Sequence, residues 1–345
     1  MQKWEQIQGV YIHTPFCLQK CLYCDFASYA GADTETMEKY VDAVCSEIMM
    51  RSNEVTIADQ ATLYFGGGTP SLLSEKLLAK LVEALQKNGC WLQPAEATIE
   101  VNPGTADLDK LRFLKDLGFD RISFGVQSLN DAELRAVGRI HTANEALDAI
   151  TMAEKAGFTR VSADLIYGLP EQSLQTLKTS LQNLTAAGLQ HLSVYGLTIE
   201  KNTPLAGMLD KGKVELPDED CQLAMYELVQ EYLEAQGLHR YEISNYAVSG
   251  QESRHNLVYW HYLPYLSFGS SACSFNGSQR FTATDSVTDY IESIQSGKSC
   301  GGFEDLTKEM QLSEYLFMGL RTTVGIDLIE TEQRFGCDVM LEFGV

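Results

Sequence analysis

Short apolar runs rich in β-branched and aromatic residues alternate along the chain with longer segments whose apolar positions recur every three or four residues. The runs at 10–13, 62–65, 98–101, 121–126, 161–166 and 192–195 predict strands. Between them, Met37, Tyr40, Val41, Val44 and Ile48 share one helical face, as do Leu77, Leu78, Leu81, Val82 and Leu85. Further helices are predicted over 108–117, 144–156, 173–186 and 218–235, with Gly118, Gly157 and Gly188 just past helix ends as C-caps. Strict alternation of strand and helix calls for βαβ crossovers and parallel pairing. About six such units before residue 200 fit either an open doubly wound sheet or a partial barrel.

Beyond residue 200 the rhythm changes. Residues 201–215 form an excursion containing Asn202-Thr203-Pro204, a strand is expected within 240–248, and 249–302 is loop-rich and aromatic, with Tyr259, Trp260, Tyr262, Tyr265, Phe268 and Phe275. Helical patterning returns over 306–345. The expected division is therefore a larger α/β unit over 1–248 and a smaller C-terminal domain over 249–345.

The chain has 345 residues, long enough for a sizeable core, and its 26 basic and 47 acidic residues leave a net charge of −21. That excess opposes binding to nucleic acid or to an anionic bilayer, since both are negative themselves. No apolar run approaches the ~18 residues of a membrane span, so no integral membrane segment is expected. Residues 1–10 lack the pattern of a secretory signal, which makes the expected location cytoplasmic. Nine cysteines in a chain of this size read as reduced thiols.

Three of the nine carry the strongest chemical signal: Cys17-Leu-Gln-Lys-Cys21-Leu-Tyr-Cys24, in a loop just after the first predicted strand. Thiols so spaced can converge on one metal centre. A structural zinc site would need a fourth ligand, for which His13 is nearest. Three thiolates fit better with a 4Fe-4S cluster that leaves one iron open to an exogenous ligand.

Other positions point the same way. Gly66-Gly-Gly-Thr-Pro70 follows the second strand, where glycines permit close backbone approach to a ligand or simply a tight turn. Glu100 sits in Thr98-Ile-Glu-Val-Asn-Pro103, a strand covered on both faces, where a carboxylate is costly without a positive partner. Gln127 and Asp164 lie at or inside the ends of later strands, where α/β proteins assemble their sites. Arg139 suits a ligand carboxylate, or equally a structural ion pair with Asp164.

Tyr11-Ile-His-Thr-Pro-Phe-Cys17, followed by the Cys-x3-Cys-x2-Cys spacing, resembles the radical S-adenosylmethionine (SAM) superfamily. Within it the likeness is to the branch holding oxygen-independent coproporphyrinogen III oxidase and the haem chaperones, and it runs from Tyr11 into the C-terminal region. The resemblance implies a partial (β/α)6 TIM-type barrel of the radical SAM kind with a smaller α+β C-terminal domain. It implies a 4Fe-4S cluster on Cys17, Cys21 and Cys24 whose open iron is chelated by the amino and carboxylate groups of SAM. An electron from the cluster, delivered by a low-potential donor of flavodoxin or ferredoxin type, would cleave the sulfonium. By the same resemblance Gly67, Gly68 and Thr69 line the SAM pocket, Tyr11 and Tyr23 contact the nucleoside, and Glu100, Gln127, Arg139 and Asp164 contact SAM.

His255-Asn-Leu-Val-Tyr-Trp260 is similar to the His-Asn-x-x-Tyr-Trp signature of the haem chaperones, which makes His255 a candidate haem ligand in an aromatic setting. Tyr241-Glu-Ile-Ser-Asn-Tyr-Ala247 is also typical of that branch. One departure from the oxidase is informative: its pattern has a cysteine two residues after the third cluster cysteine, where this chain has Phe26. Only sixteen residues precede Cys17, so the oxidase's long N-terminal extension is also expected to be missing. Relatives continue where this sequence stops, so the C-terminal domain is expected to be incomplete. Two functions follow from the resemblance. One is a haem chaperone delivering haem to acceptor proteins such as respiratory enzymes; the other is an oxidoreductase that decarboxylates coproporphyrinogen III.

Overall fold

The computed structural model describes residues 4–91, 93–342 and 344. The first half alternates strand and helix as the periodicity requires: β1 (Trp4–Thr14), a loop holding the two-residue strands β2 (Phe16–Cys17) and β3 (Tyr29–Ala30), α1 (Thr34–Arg51), β4 (Val55–Gly67), α2 (Glu75–Lys87), β5 (Ala97–Val101), α3 (Leu108–Asp116), β6 (Arg121–Gln127), α4 (Asp131–Ala136), α5 (Ala143–Lys155), β7 (Arg160–Tyr167), α6 (Leu174–Ala186) and β8 (His191–Gly196). Side-chain caps start the helices. Asp33, Ser74 and Asp107 each accept a backbone N–H of the first turn, and Thr142 with Glu145 forms a reciprocal capping box.

Six strands pair in parallel in the order β1-β4-β5-β6-β7-β8. Among the described residues β8 does not return to β1, so the sheet is a barrel of the (β/α)6 kind left open. Inward and outward apolar residues pack in one continuous core with the amphipathic faces of α1, α2, α5 and α6.

The remaining elements are α7 (Pro204–Leu209), α8 (Glu219–Ala235), β9 (His239–Arg240), β10 (Asn245–Ala247), α9 (Arg254–Trp260), β11 (Tyr265–Phe268), β12 (Cys273–Phe275), β13 (Gln279–Ala283), α10 (Val287–Gln295), β14 (Gly301–Asp305), α11 (Lys308–Gly319), α12 (Leu328–Phe335) and α13 (Val339–Glu342). They extend the same sheet at both edges. β10 runs antiparallel to β8, with β9 beyond it, while β11 lies parallel to β1 and leads antiparallel through β12 and β13 to β14. Residue 248, the expected division, falls between β10 and α9, and the core passes across it through Leu266, Phe268, Phe281 and Tyr290.

Buried Glu47 on α1 ties these additions down. It receives the Tyr290 hydroxyl at 2.6 Å and the Gly269 N–H at 2.9 Å, and it pairs with Arg51 at 2.8 Å. Arg51 in turn donates to the Ser267 carbonyl and the Ser274 hydroxyl.

Two features differ from the pattern-based reading. β1 and β4 begin at Trp4 and Val55, well before residues 10 and 62, because their early halves pair with one another through bulges. Polar residues such as Gln6, Gln8, Asp59 and Gln60 interrupt the apolar alternation there and hide the strands. The aromatic stretch read as loop-rich contains α9, α10, three whole strands and the start of β14, each too short to establish a period.

Candidate functional site

The site sits at the carboxyl ends of the parallel strands, where successive loops converge. The cysteine loop leaves β1 and is held over the barrel mouth by backbone hydrogen bonds: Leu22 N–H to the Val137 carbonyl, 3.0 Å, and Leu205 N–H to the Leu22 carbonyl, 2.9 Å. Gln19 adds a side-chain bond to the Gly138 carbonyl, and Gly138 has a positive φ of 74° with Leu22 packed where a Cβ would stand.

Two adjoining cavities open beneath this loop. The smaller, about 140 Å³, is lined by all three cysteines and by Gly67, Gly68 and Thr69 from the end of β4; Glu100, Gln127, Arg139 and Asp164 complete it. The larger, about 680 Å³, runs down the lumen past Tyr11 and Tyr64 to His255 and Tyr259 on α9. Tyr23, Cys24, Glu100, Gln127 and Asp164 border both. The three cysteines and the ten candidate SAM and haem contacts thus line one connected space, and His13 is not among the lining residues.

The thiols are free and partly accessible. Arg139 donates from Nη1 to Cys21 Sγ at 3.4 Å, and the Thr69 hydroxyl donates to Cys17 Sγ at 3.6 Å. Burial pushes the Cys17 thiol up, opposed by that hydroxyl. Among the described residues, no three His, Cys, Asp or Glu side chains meet around a single-ion position. His13, the candidate fourth ligand for zinc, has both ring nitrogens occupied, Nδ1 by the Tyr11 hydroxyl and Nε2 by the Ala27 carbonyl, each at 3.1 Å.

Glu100 and Asp164 dominate the electrostatics. Desolvation lifts Glu100 to about 7 despite bonds to its oxygens from the Tyr64 hydroxyl, 2.7 Å, and the Gly67 N–H, 3.2 Å; the Asp164 charge raises it further. Desolvation likewise lifts Asp164 to about 6, against the hydroxyls of Ser193 and Ser123 and the more distant Arg121 and Arg139. Among the described residues no basic side chain bridges either carboxylate. The ion pair between Asp164 and Arg139 is therefore not formed. Arg139 instead spends its second terminal nitrogen on Asn102 Oδ1, at 2.9 Å, and on the Gly125 carbonyl, while its Nε is buried without a partner.

One strained backbone position lies here: Gln127 holds a left-handed φ of 66° at a bulge in β6, a conformation uncommon for non-glycine residues. Gly67, at φ 109°, would place a Cβ 2.5 Å from the His13 ring, and a Cβ on Gly68 would meet the Phe16 carbonyl oxygen at 2.7 Å. Packing within the protein already leaves no room for a side chain at either glycine.

His255 lies on the floor of the lumen, 1% exposed. Its Nδ1 is 2.7 Å from the Thr62 hydroxyl and its Nε2 2.9 Å from that of Tyr259; the ring stacks on Tyr64 with centroids 5.0 Å apart. Burial lowers it to about 3, so it is neutral at physiological pH. Glu96, fully buried and paired with Arg160 at 2.6 Å, accepts the backbone N–H of both Arg254 and His255 and so fixes the start of α9. Tyr64, Glu96 and Asn102 escaped the sequence reading; only Asn102 carried a signal, two positions beyond Glu100 and just past the end of its strand.

Residues 11–184 match the family model described as the radical SAM superfamily. The chain belongs to that superfamily. It is 35% identical over 335 residues to "Heme chaperone HemW" of Bacillus subtilis, covering 96% of this chain and 87% of that protein. It is 37% identical to the protein of the same name from Synechocystis, over 92% and 79% of the two chains. The structure of Escherichia coli coproporphyrinogen III oxidase (HemN), described as a radical SAM enzyme, superposes with a TM-score of 0.84 over 98% of this chain and 81% of its own, at 23% identity. That likeness establishes the radical SAM fold. The haem-chaperone proteins are the nearer kin in sequence.

Proposed function

We propose that the chain carries a 4Fe-4S cluster on Cys17, Cys21 and Cys24, binds SAM beside it, and acts as a haem chaperone passing haem to acceptor proteins such as respiratory enzymes. One observation carries the site assignment: three free thiols share a cavity with two carboxylates that have no cationic partner. The donor set suits the group. Thiolates are the usual ligands of such clusters, Arg139 and Thr69 already donate toward two of the sulfurs, and the sulfonium of SAM is a positive charge of the kind that Glu100 and Asp164 lack. Held by Cys17, Cys21 and Cys24, such a cluster would supply single electrons for reduction of SAM.

The chain's own residues do the rest. Glu100 and Asp164 hold positive charge between the Tyr64 hydroxyl, the Gly67 N–H and the serines. Gln127 offers its amide at a strained bulge, and Tyr11 and Tyr23 shield the cavity from water. A flavodoxin- or ferredoxin-type protein is the proposed reductant. No described helix is long and apolar enough to cross a membrane, and the proposed place of work is the cytoplasm.

The chaperone reading is favoured over porphyrinogen oxidation by two features. Phe26 stands where the oxidase pattern has a cysteine. In addition, the large cavity is lined by Asp25, Glu100, Asp164 and Glu200 against Arg121 alone, and Arg121 already lies near Glu96 and donates to the Gln251 carbonyl. Such a lining disfavours a substrate with four carboxylates more than it disfavours haem, which carries two. His255, neutral and in an aromatic setting, is the proposed haem ligand, with its Nε2 released when the Tyr259 hydroxyl turns away. To test the reading, anaerobically reconstituted protein is titrated with haem and separately incubated with reductant, SAM and coproporphyrinogen III. Saturable haem absorbance with no protoporphyrinogen supports the chaperone; protoporphyrinogen formation supports the oxidase.

A further inference from the structure

A chain of hydrogen bonds links two of the cysteine sulfurs through a residue outside the cysteine motif. Arg139 can only donate, and its Nη2 lies 2.9 Å from Asn102, so the Asn102 carbonyl oxygen must face it. The Asn102 amide nitrogen is thereby turned toward Thr69, to whose hydroxyl oxygen it donates at 2.7 Å. With that lone pair taken, the single Thr69 proton is directed to Cys17 Sγ, 3.6 Å away, while Arg139 Nη1 donates to Cys21 Sγ. Every polarity in the relay follows from the guanidinium at its head.

The fold makes room for it. Gly125 interrupts the apolar strand β6, and a Cβ there would stand 2.7 Å from Asn102 Oδ1 and 3.3 Å from Arg139 Nη2. Thr69 is buried, 1% exposed.

We infer that Asn102 is a positioning residue: held by Arg139, it aims the Thr69 hydroxyl at the Cys17 sulfur and thereby sets the reduction potential of the cluster. Hydrogen bonds to cluster sulfurs stabilise the more negative, reduced state and raise the potential. The inference rests on the cluster assignment proposed above.

The test uses the full chain reconstituted anaerobically without SAM, with iron and sulfide content and the dithionite-poised midpoint potential as readouts. Asn102→Ala and Thr69→Val are expected to keep the cluster but shift its potential in the negative direction. The two changes together should shift it by less than the sum of their separate effects, because both act through one hydroxyl. Thr69→Ser, which keeps the hydroxyl, is expected to stay near the wild-type potential. A wild-type potential in Asn102→Ala with cluster content intact overturns the inference. If Asn102→Ala loses its cluster, equal potentials for Thr69→Val and Thr69→Ser overturn it instead. A wild-type chain that takes up neither iron nor sulfide defeats the underlying cluster assignment, which is a different result.

Discussion

Glu100 and Asp164 are the residues whose chemistry is least complete without a partner. Because Glu100 binds its proton more tightly in the folded protein than in the unfolded chain, ionising it destabilises the fold progressively as pH rises from the ordinary carboxylate range through about 7. A cation arriving in the cavity reverses that effect and expels the proton. SAM affinity should therefore strengthen between about pH 6 and 8, with proton release visible as a buffer-dependent binding enthalpy. Glu100→Gln should weaken SAM binding and flatten this dependence; an unchanged pH profile in that variant places the cation elsewhere. His255 poses the opposite case, since both of its nitrogens are satisfied. Tyr259→Phe frees Nε2 and is expected to tighten haem binding several-fold, measured by absorbance titration, whereas weaker binding would make the Tyr259 hydroxyl part of the haem site.

At the scale of elements, function is built from strand ends: the cysteine loop after β1, the glycine turn after β4, Glu100 and Asn102 closing β5, Gln127 at the bulge of β6. Gly67→Ala should lower the thermal midpoint, losing about 1–3 kcal/mol from the left-handed backbone alone, with further loss from the His13 collision. Thermal melts check this, and a wild-type midpoint would show that His13 yields freely. Much of the site's framework was legible in the sequence because its signals are local. A cysteine spacing, a glycine run and a carboxylate among β-branched residues each declare themselves within a few positions. Tyr64 and Glu96 were not legible, since each matters through a partner on another element: Tyr64 through Glu100 on the next strand, and Glu96 through the first turn of α9. The short strands β11 to β14 were missed for a related reason, as their identity comes from pairing along an existing sheet edge.

The whole molecule is organised around that single sheet, which runs unbroken from β14 through the parallel barrel strands to β9. Glu47 joins α1 to α10 and to the turn after β11, so truncating it leaves the half-buried Arg51 without its carboxylate and unbinds the buried Tyr290 hydroxyl and Gly269 N–H. Glu47→Ala is expected to cost about 3 kcal/mol in denaturant unfolding and to split a single transition into two as the C-terminal strands loosen first. One unsplit transition at the wild-type midpoint would show that the edge strands are held by β1 alone. The central claim, a cluster with one open iron facing a cation-seeking cavity, is tested most directly by Mössbauer spectroscopy of the anaerobically reconstituted protein before and after SAM is added. The account predicts about four irons per chain as a 4Fe-4S cluster, with about one quarter of the iron signal changing when SAM binds. Iron that stays equivalent after SAM addition, or protein that takes up zinc in place of iron and sulfide, would contradict it.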